Sequence, residues 1–265
     1  MSKLFDLASS FADAIAGTNQ NCYWYGFARL ENGQIVAQPE TVNPGRCMVP
    51  PKIAAAGANI GWTSDHGFAL IGADANQKPL AFTDCSGFAA WLITQASAAD
   101  FAAFQAWEEP YAAAKKFALH SQPWPSAAAY AYAGYVPFSA GNWNVVVNGN
   151  QRGDAWSQQV QPGDVLAWDI PEFPGKINDT GHMLIVASTI RPAPGQTYYE
   201  VDVIDSSILV HGQDTRPPGT TGVGRGVIFL QNTIVEQTSV WEYSFGTATD
   251  CFHIAPHISV LRLLG

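Results

Sequence analysis

Cys85 is the residue of this chain best placed for covalent chemistry. It lies in Asp84-Cys85-Ser86-Gly87, just ahead of the apolar run Phe88-Ala89-Ala90-Trp91-Leu92-Ile93. The string reads as a helix start, with Asp84 as N-cap and Cys85 in the first turn. Unpaired backbone N–H groups and the helix dipole favour negative charge there, so thiolate, the nucleophilic form, is favoured over thiol. Gly87 permits close approach of another segment or a substrate. Cys85, Phe88, Ala89 and Leu92 follow helical spacing, which puts the cysteine at one end of a core-facing stripe.

A cysteine nucleophile needs a base, and the base needs an orienting partner. Of the six histidines, His182 follows Gly181 at the head of a strand-like run, Met183-Leu184-Ile185-Val186-Ala187. Period-two alternation places it on a face with Leu184 and Val186, partly desolvated and rigidly held, as a general base should be. The next alternating run puts Tyr199, Val201, Val203 and Asp205 on one face. A carboxylate ending such a face needs a hydrogen-bond donor, and an imidazole N–H on the neighbouring strand would serve. His211, in Val210-His211-Gly212, competes for the orienting role. Taken singly, the same residues also fit an inert buried cysteine, a satisfied core histidine and a turn-capping aspartate.

Several elements must position these groups. Leu4, Leu7, Phe11, Ala14 and Ile15 fit an amphipathic helix ending at Gly17. Thr18 to Thr83 reads as loops with a few short strands. Helices are expected at Asp84–Ala96, Ala99–Trp107, Pro110–Leu119 and Ser126–Ala133, with Ser126 as a cap. Strand character begins at Asn144, with runs at Asp164–Trp168, His182–Ser188, Tyr198–Asp205, Gly226–Leu230 and Ile258–Leu264. Gly222-Val223-Gly224-Arg225-Gly226 reads as a turn, since it precedes a strand and lacks the spacing of a phosphate loop. Helices first and strands after predict an α+β fold, with the nucleophile helix on an antiparallel sheet. A single domain over residues 1–265 is expected, with 1–83 as an N-terminal extension packed on it.

Composition bounds the function. The 265 residues are 47% hydrophobic and only 13% charged, ample for a core. A formal net charge of -9 lacks the basic footprint of a nucleic-acid or membrane-surface binder. No stretch is long and apolar enough to span a membrane. Asp6 and Asp13 interrupt what would be a signal-peptide core, so the reading is a cytoplasmic protein or export by a dedicated route. The four cysteines, Cys22, Cys47, Cys85 and Cys251, form no CxxC and no paired Cys/His ligand spacing, so neither metal nor cofactor is expected. Cys22 and Cys47 could pair. His253 and His257 stand four apart, but Pro256 intervenes and no HExxH surrounds them.

Three ordered blocks resemble the NlpC/P60 cysteine peptidases: Asp84-Cys85-Ser86-Gly87-Phe88, Pro162-Gly163-Asp164-Val165-Leu166-Ala167-Trp168 and Gly181-His182-Met183-Leu184-Ile185-Val186. The resemblance covers roughly Asp84 to Ser207. It implies a papain-like fold, with Cys85 as nucleophile and His182 as base. It also implies cleavage of amide bonds in bacterial cell-wall stem peptides through a thioester. The family's third polar position falls on Asp205, where members more often carry His, Asn or Gln. The family's upstream substrate-site tyrosine has its nearest match in Tyr23 and Tyr25. Asp84 and Ser86 are further substrate-contact candidates beside their capping roles. The segment between Cys85 and His182 is longer than in compact members, so the added helices would reshape the groove. The same triad could instead transfer an acyl group or act on another amide. A silent domain that binds muropeptides or a protein partner is the third reading.

Overall fold

The computed structural model describes residues 2–18, 20–23, 27–31, 34–38, 53–54, 70–73, 76–113, 124–151, 154–170, 181–236, 238–247 and 250–265. Tyr25 and Cys47 lie outside the described residues.

Helix α1 (Lys3–Ile15) buries Leu4, Ala8, Ala12 and Ile15. The expected stripe is therefore rotated: Ala14 is exposed and Ala8 and Ala12 face inward, while Leu7 and Phe11 pack at its border. The helix stops where Gly17 takes a left-handed φ of 73°. Among the described residues, six short strands follow: β1 (Asn21–Tyr23), β2 (Phe27–Glu31), β3 (Gln34–Gln38), β4 (Ile53–Ala54), β5 (Leu70–Ala73) and β6 (Pro79–Thr83). They form two small sheets, β1-β6-β5 and β2-β3-β4, with β1 parallel to β6.

Helix α2 (Cys85–Ala96) begins where the sequence pattern places it, with the Asp84 carboxylate accepting the Gly87 N–H at 2.6 Å. It is not amphipathic, however. Every residue from Cys85 to Ile93 is buried, because other elements cover its outer side. Phe11 of α1 lies 6.0 Å from Phe88 and 5.0 Å from Trp91 between ring centroids. Such all-round burial marks a central helix. The helices expected at Ala99–Trp107 and Pro110–Leu119 run together over the described residues as α3 (Ala98–Ala113), with Pro110 inside it, and residues 114–119 lie outside the described residues. The buried Phe101 and Phe104 hold the helix to the core. Helix α4 (Ala127–Tyr132) is capped by Ser126, whose hydroxyl accepts the Ala129 N–H at 3.3 Å.

The remaining strands are β7 (Trp143–Asn148), β8 (Val165–Trp168), β9 (His182–Val186), β10 (Arg191–Pro192), β11 (Tyr199–Ser207), β12 (Gly222–Val235), β13 (Thr238–Ser244), β14 (His253–Ala255) and β15 (Ile258–Leu263). They form one antiparallel sheet in the order β14-β13-β12-β11-β9-β8-β15-β7, with β10 paired to β11. The chain is thus mixed α+β, with helices against a large antiparallel sheet. Gly222–Gly226 is the start of β12 and not a turn.

Alternation along the strands makes two cores. Val165, Ala167, Met183, Ile185, Ile204 and Leu261 join the cluster that holds α1, α2 and α4. Leu166, Trp168, Leu184, Val186, Val201, Val203 and Ile228 join a second cluster with Trp156, Trp241 and Tyr243.

Candidate active site

Cys85 opens α2 as a buried thiol outside any disulfide. Its helix start is tightly built. Asp84 accepts the Ser86 hydroxyl at 3.1 Å as well as the Gly87 N–H, and Ser86 Oγ in turn accepts the Trp124 indole N–H at 2.9 Å. A Cβ at Gly87 would stand 2.4 Å from Thr83 Oγ1 and 3.0 Å from Trp124. Glycine is therefore needed for close packing by the protein itself. Asp84 and Ser86, expected as substrate contacts, are engaged in this cap.

His182 heads β9 and is 7% exposed. Gly181 before it has a φ of +128°, and any Cβ there would lie 1.9 Å from the Trp168 carbonyl. Only glycine lets the chain enter the strand at this angle. The imidazole packs against Trp168 (5.3 Å between ring centroids) and Phe245 (5.7 Å). Its Nε2 lies 2.5 Å from Oδ2 of Asp205. The expected pairing of these two residues on one face of neighbouring strands is what the structure places there.

Asp205 has a second imidazole partner. His211 Nε2 lies 2.8 Å from the same Oδ2, and Arg216 Nη1 stands 3.7 Å from Oδ1. The sequence offers Asp205 and His211 as competitors for one orienting role, whereas in the structure they are partners. Burial opposes ionisation of Asp205. The charges of His211 and Arg216, with hydrogen bonds from His182 and His211, outweigh it and hold the carboxyl well below the usual carboxylate range. A carboxylate accepts only, so each ring must donate from Nε2. In a neutral His182 ring the lone pair then sits on Nδ1. His182 Nδ1 is thereby left to take up a proton. Among the described residues, His211 Nδ1 is buried with no hydrogen-bond partner.

Sequence reading missed the support beneath this cluster. Arg216 is buried, held by Asp214 (Nε–Oδ1 2.8 Å, Nη2–Oδ2 2.6 Å) and by the Gly222 carbonyl at 2.8 Å from Nη1. A Cβ at Gly224 would stand 2.6 Å from Arg216, and one at Gly226 would stand 2.4 Å from His211 Cβ. The glycines of β12 are flat ground on which both side chains lie. Their period-two spacing was the available signal.

Cys85 and the His182–Asp205 pair reach one end of the sheet from different sides. Cys85 belongs to the helix-side cluster with Met183 and Ile185, whereas His182 and Asp205 project from the face carrying Leu184 and Val203. Among the described residues, no hydrogen bond joins the His182 ring to Cys85. Two observations draw them toward each other. Ser206 Oγ donates to the Thr83 carbonyl at 2.7 Å, tying the residue after Asp205 to the residue two before Cys85. The β9–β11 ladder is confined to Val186–Val203 and Ile185–Ile204, so it has ended before His182. Of the tyrosine candidates, Tyr23 is in β1, its N–H donating to Thr221 Oγ1 at 3.1 Å. Tyr25 lies outside the described residues.

His182, Asp205 and His211 bring their ligand atoms within 4.8 Å of one another. A cation among them would sit beside the Arg216 guanidinium, and both Nε2 atoms already serve one oxygen, so the arrangement suits proton handling better than metal binding. His253 and His257 do not form a pair: His257 Nδ1 bonds Asp169 at 2.6 Å, and His253 Nε2 bonds Asp250 at 3.1 Å. Cys22 is disulfide-bonded. Comparison with protein-family models, with curated proteins and with solved structures returns no match.

Proposed function

We propose that this chain is a papain-like cysteine amidohydrolase of the NlpC/P60 kind, cleaving amide bonds in bacterial cell-wall stem peptides. One observation carries the reading. The buried Asp205 carboxylate receives His182 Nε2 at 2.5 Å, and the Ser206–Thr83 bond fastens that carboxylate's segment to the start of the cysteine helix. A charged acceptor on Nε2 fixes the tautomer that leaves Nδ1 basic, and it stabilises the imidazolium that forms.

His182 Nδ1 takes the proton of Cys85. The thiolate attacks the amide carbonyl. The oxyanion is met by backbone N–H groups at the first turn, those of Cys85 and Ser86, the Gly87 N–H being committed to Asp84. The imidazolium protonates the leaving amine. Water, activated by His182, then cleaves the thioester and restores the thiol.

The test is incubation with defined muropeptides, with products weighed by mass spectrometry. Loss of the substrate mass with two matching fragments, absent in Cys85→Ala, supports the reading. Intact substrate, with no selective labelling of Cys85 by a thiol reagent at neutral pH, overturns it.

A further inference from the structure

A second cluster, sharing no residue with the proposed site, lies where the β13–β14 connection enters β14. Cys251 is an exposed free thiol, and its Sγ lies 3.9 Å from His253 Nε2. The same Nε2 lies 3.1 Å from Asp250 Oδ1, and the three ligand atoms all fall within 4.8 Å of one another. We infer that Asp250, Cys251 and His253 form a binding site for a thiophilic divalent transition-metal ion of the zinc type.

Geometry and chemistry both support this. Zinc bonds of about 2.3 Å to sulfur and about 2.1 Å to nitrogen and oxygen, at tetrahedral angles, imply separations of roughly 3.6 Å for S···N and 3.4 Å for N···O. The observed 3.9 and 3.1 Å differ from these by only a few tenths of an ångström. Two groups converge on a single ring nitrogen, and one hydrogen on that nitrogen cannot serve both well. A cation between the three serves all of them. Thiolate with imidazole selects a soft or borderline ion over magnesium or calcium.

The ligands are also held from behind. Asp250 Oδ2 accepts the Phe245 N–H at 2.6 Å and the Ser244 hydroxyl at 3.0 Å, leaving Oδ1 for the site. The His253 ring packs on Tyr243 at 5.5 Å. Such support orients metal ligands and strengthens binding. Both Cys251 and His253 are exposed, so an ion can enter from solution and water completes the coordination. The spacing Asp250-Cys251-Phe252-His253 is not a familiar zinc signature, so sequence inspection passes over it. None of the three residues belongs to the proposed hydrolase site, so the inference is independent of that reading.

The experiment uses the full chain, reduced and stripped with a chelator, then titrated with cobalt(II) and, in competition with a chromogenic chelator, with zinc(II). The expected result is one equivalent of ion and a thiolate-to-cobalt charge-transfer band. That band disappears in Cys251→Ser and persists in Cys85→Ala. His253→Ala weakens zinc binding roughly tenfold or more. A cobalt spectrum without the thiolate band, or zinc binding unchanged in Cys251→Ser, overturns the inference.

Discussion

Replacing Asp205 by Asn is the most informative single perturbation. The carboxylate accepts from two buried imidazoles through Oδ2, at 2.5 and 2.8 Å, and faces Arg216 across 3.7 Å. Asparagine keeps the shape and removes the charge. One oxygen can still accept, but the amide nitrogen now faces a guanidinium whose own charge has lost a partner. Asp214 remains on Arg216, so the arginine is not stranded. What is lost is the strength of two charge-assisted bonds. Hydrogen bonds to charged groups contribute about 1.5–3 kcal/mol each against about 1 kcal/mol for neutral ones, which gives an expected destabilisation of roughly 1–4 kcal/mol. Urea unfolding at pH 7 would measure it. The difference should depend on pH. The folded carboxyl titrates below its unfolded value of about 4, so its stabilising contribution is complete above that value and is lost as pH falls toward the folded one. Wild type and variant should therefore converge in acid. Amide cleavage should fall by about a thousandfold or more, since the imidazolium loses its counter-charge and the tautomer its anchor. Stability within 0.5 kcal/mol (roughly the scale of a neutral surface change) at every pH, with cleavage intact, would refute the reasoning.

Other perturbations separate the remaining parts of the argument. Cys85→Ala should abolish cleavage while thermal unfolding shifts by only a few degrees, because a small buried side chain replaces another. Gly226→Ala would set a methyl 2.4 Å from His211 Cβ; a loss of about 1–3 kcal/mol with impaired cleavage is expected, read by denaturation and by product analysis. Glu108 is buried, and burial pushes its carboxyl up to about 7 against a backbone hydrogen bond from Ser126. Ionising it costs stability as pH rises from its unfolded value through 7. Glu108→Gln should accordingly stabilise the chain above that range by up to about 3 kcal/mol, following from about 1.4 kcal/mol per pKa unit, and be neutral in acid. Melting curves across pH check this.

Some of this architecture is local and was legible. Asp84 and Ser126 announce helix starts because a short side chain must satisfy N–H groups within its own turn. Alternation alone puts His182 on a face with Leu184 and Asp205 on a face with Val203, because strand geometry allows nothing else. Other features were decided by segments far apart in the chain. Helix α2 is buried all round because α1, α3 and Trp124 close over it, so its pattern could not show which side faced the sheet. Pro110 lies within α3, whose Phe101 and Phe104 are anchored in the core. The run Gly222-Val223-Gly224-Arg225-Gly226 has turn composition, yet it forms a strand because Arg216 and His211 need the space above it. The last strand, β15, lies between β7 and β8, an order no local preference encodes. Sequence by itself determined which residues cap, alternate and carry reactive groups, since those depend on neighbours a few positions away. Only the tertiary structure decided that one carboxylate holds two histidines and an arginine, because that depends on strand order and on the room left by missing side chains.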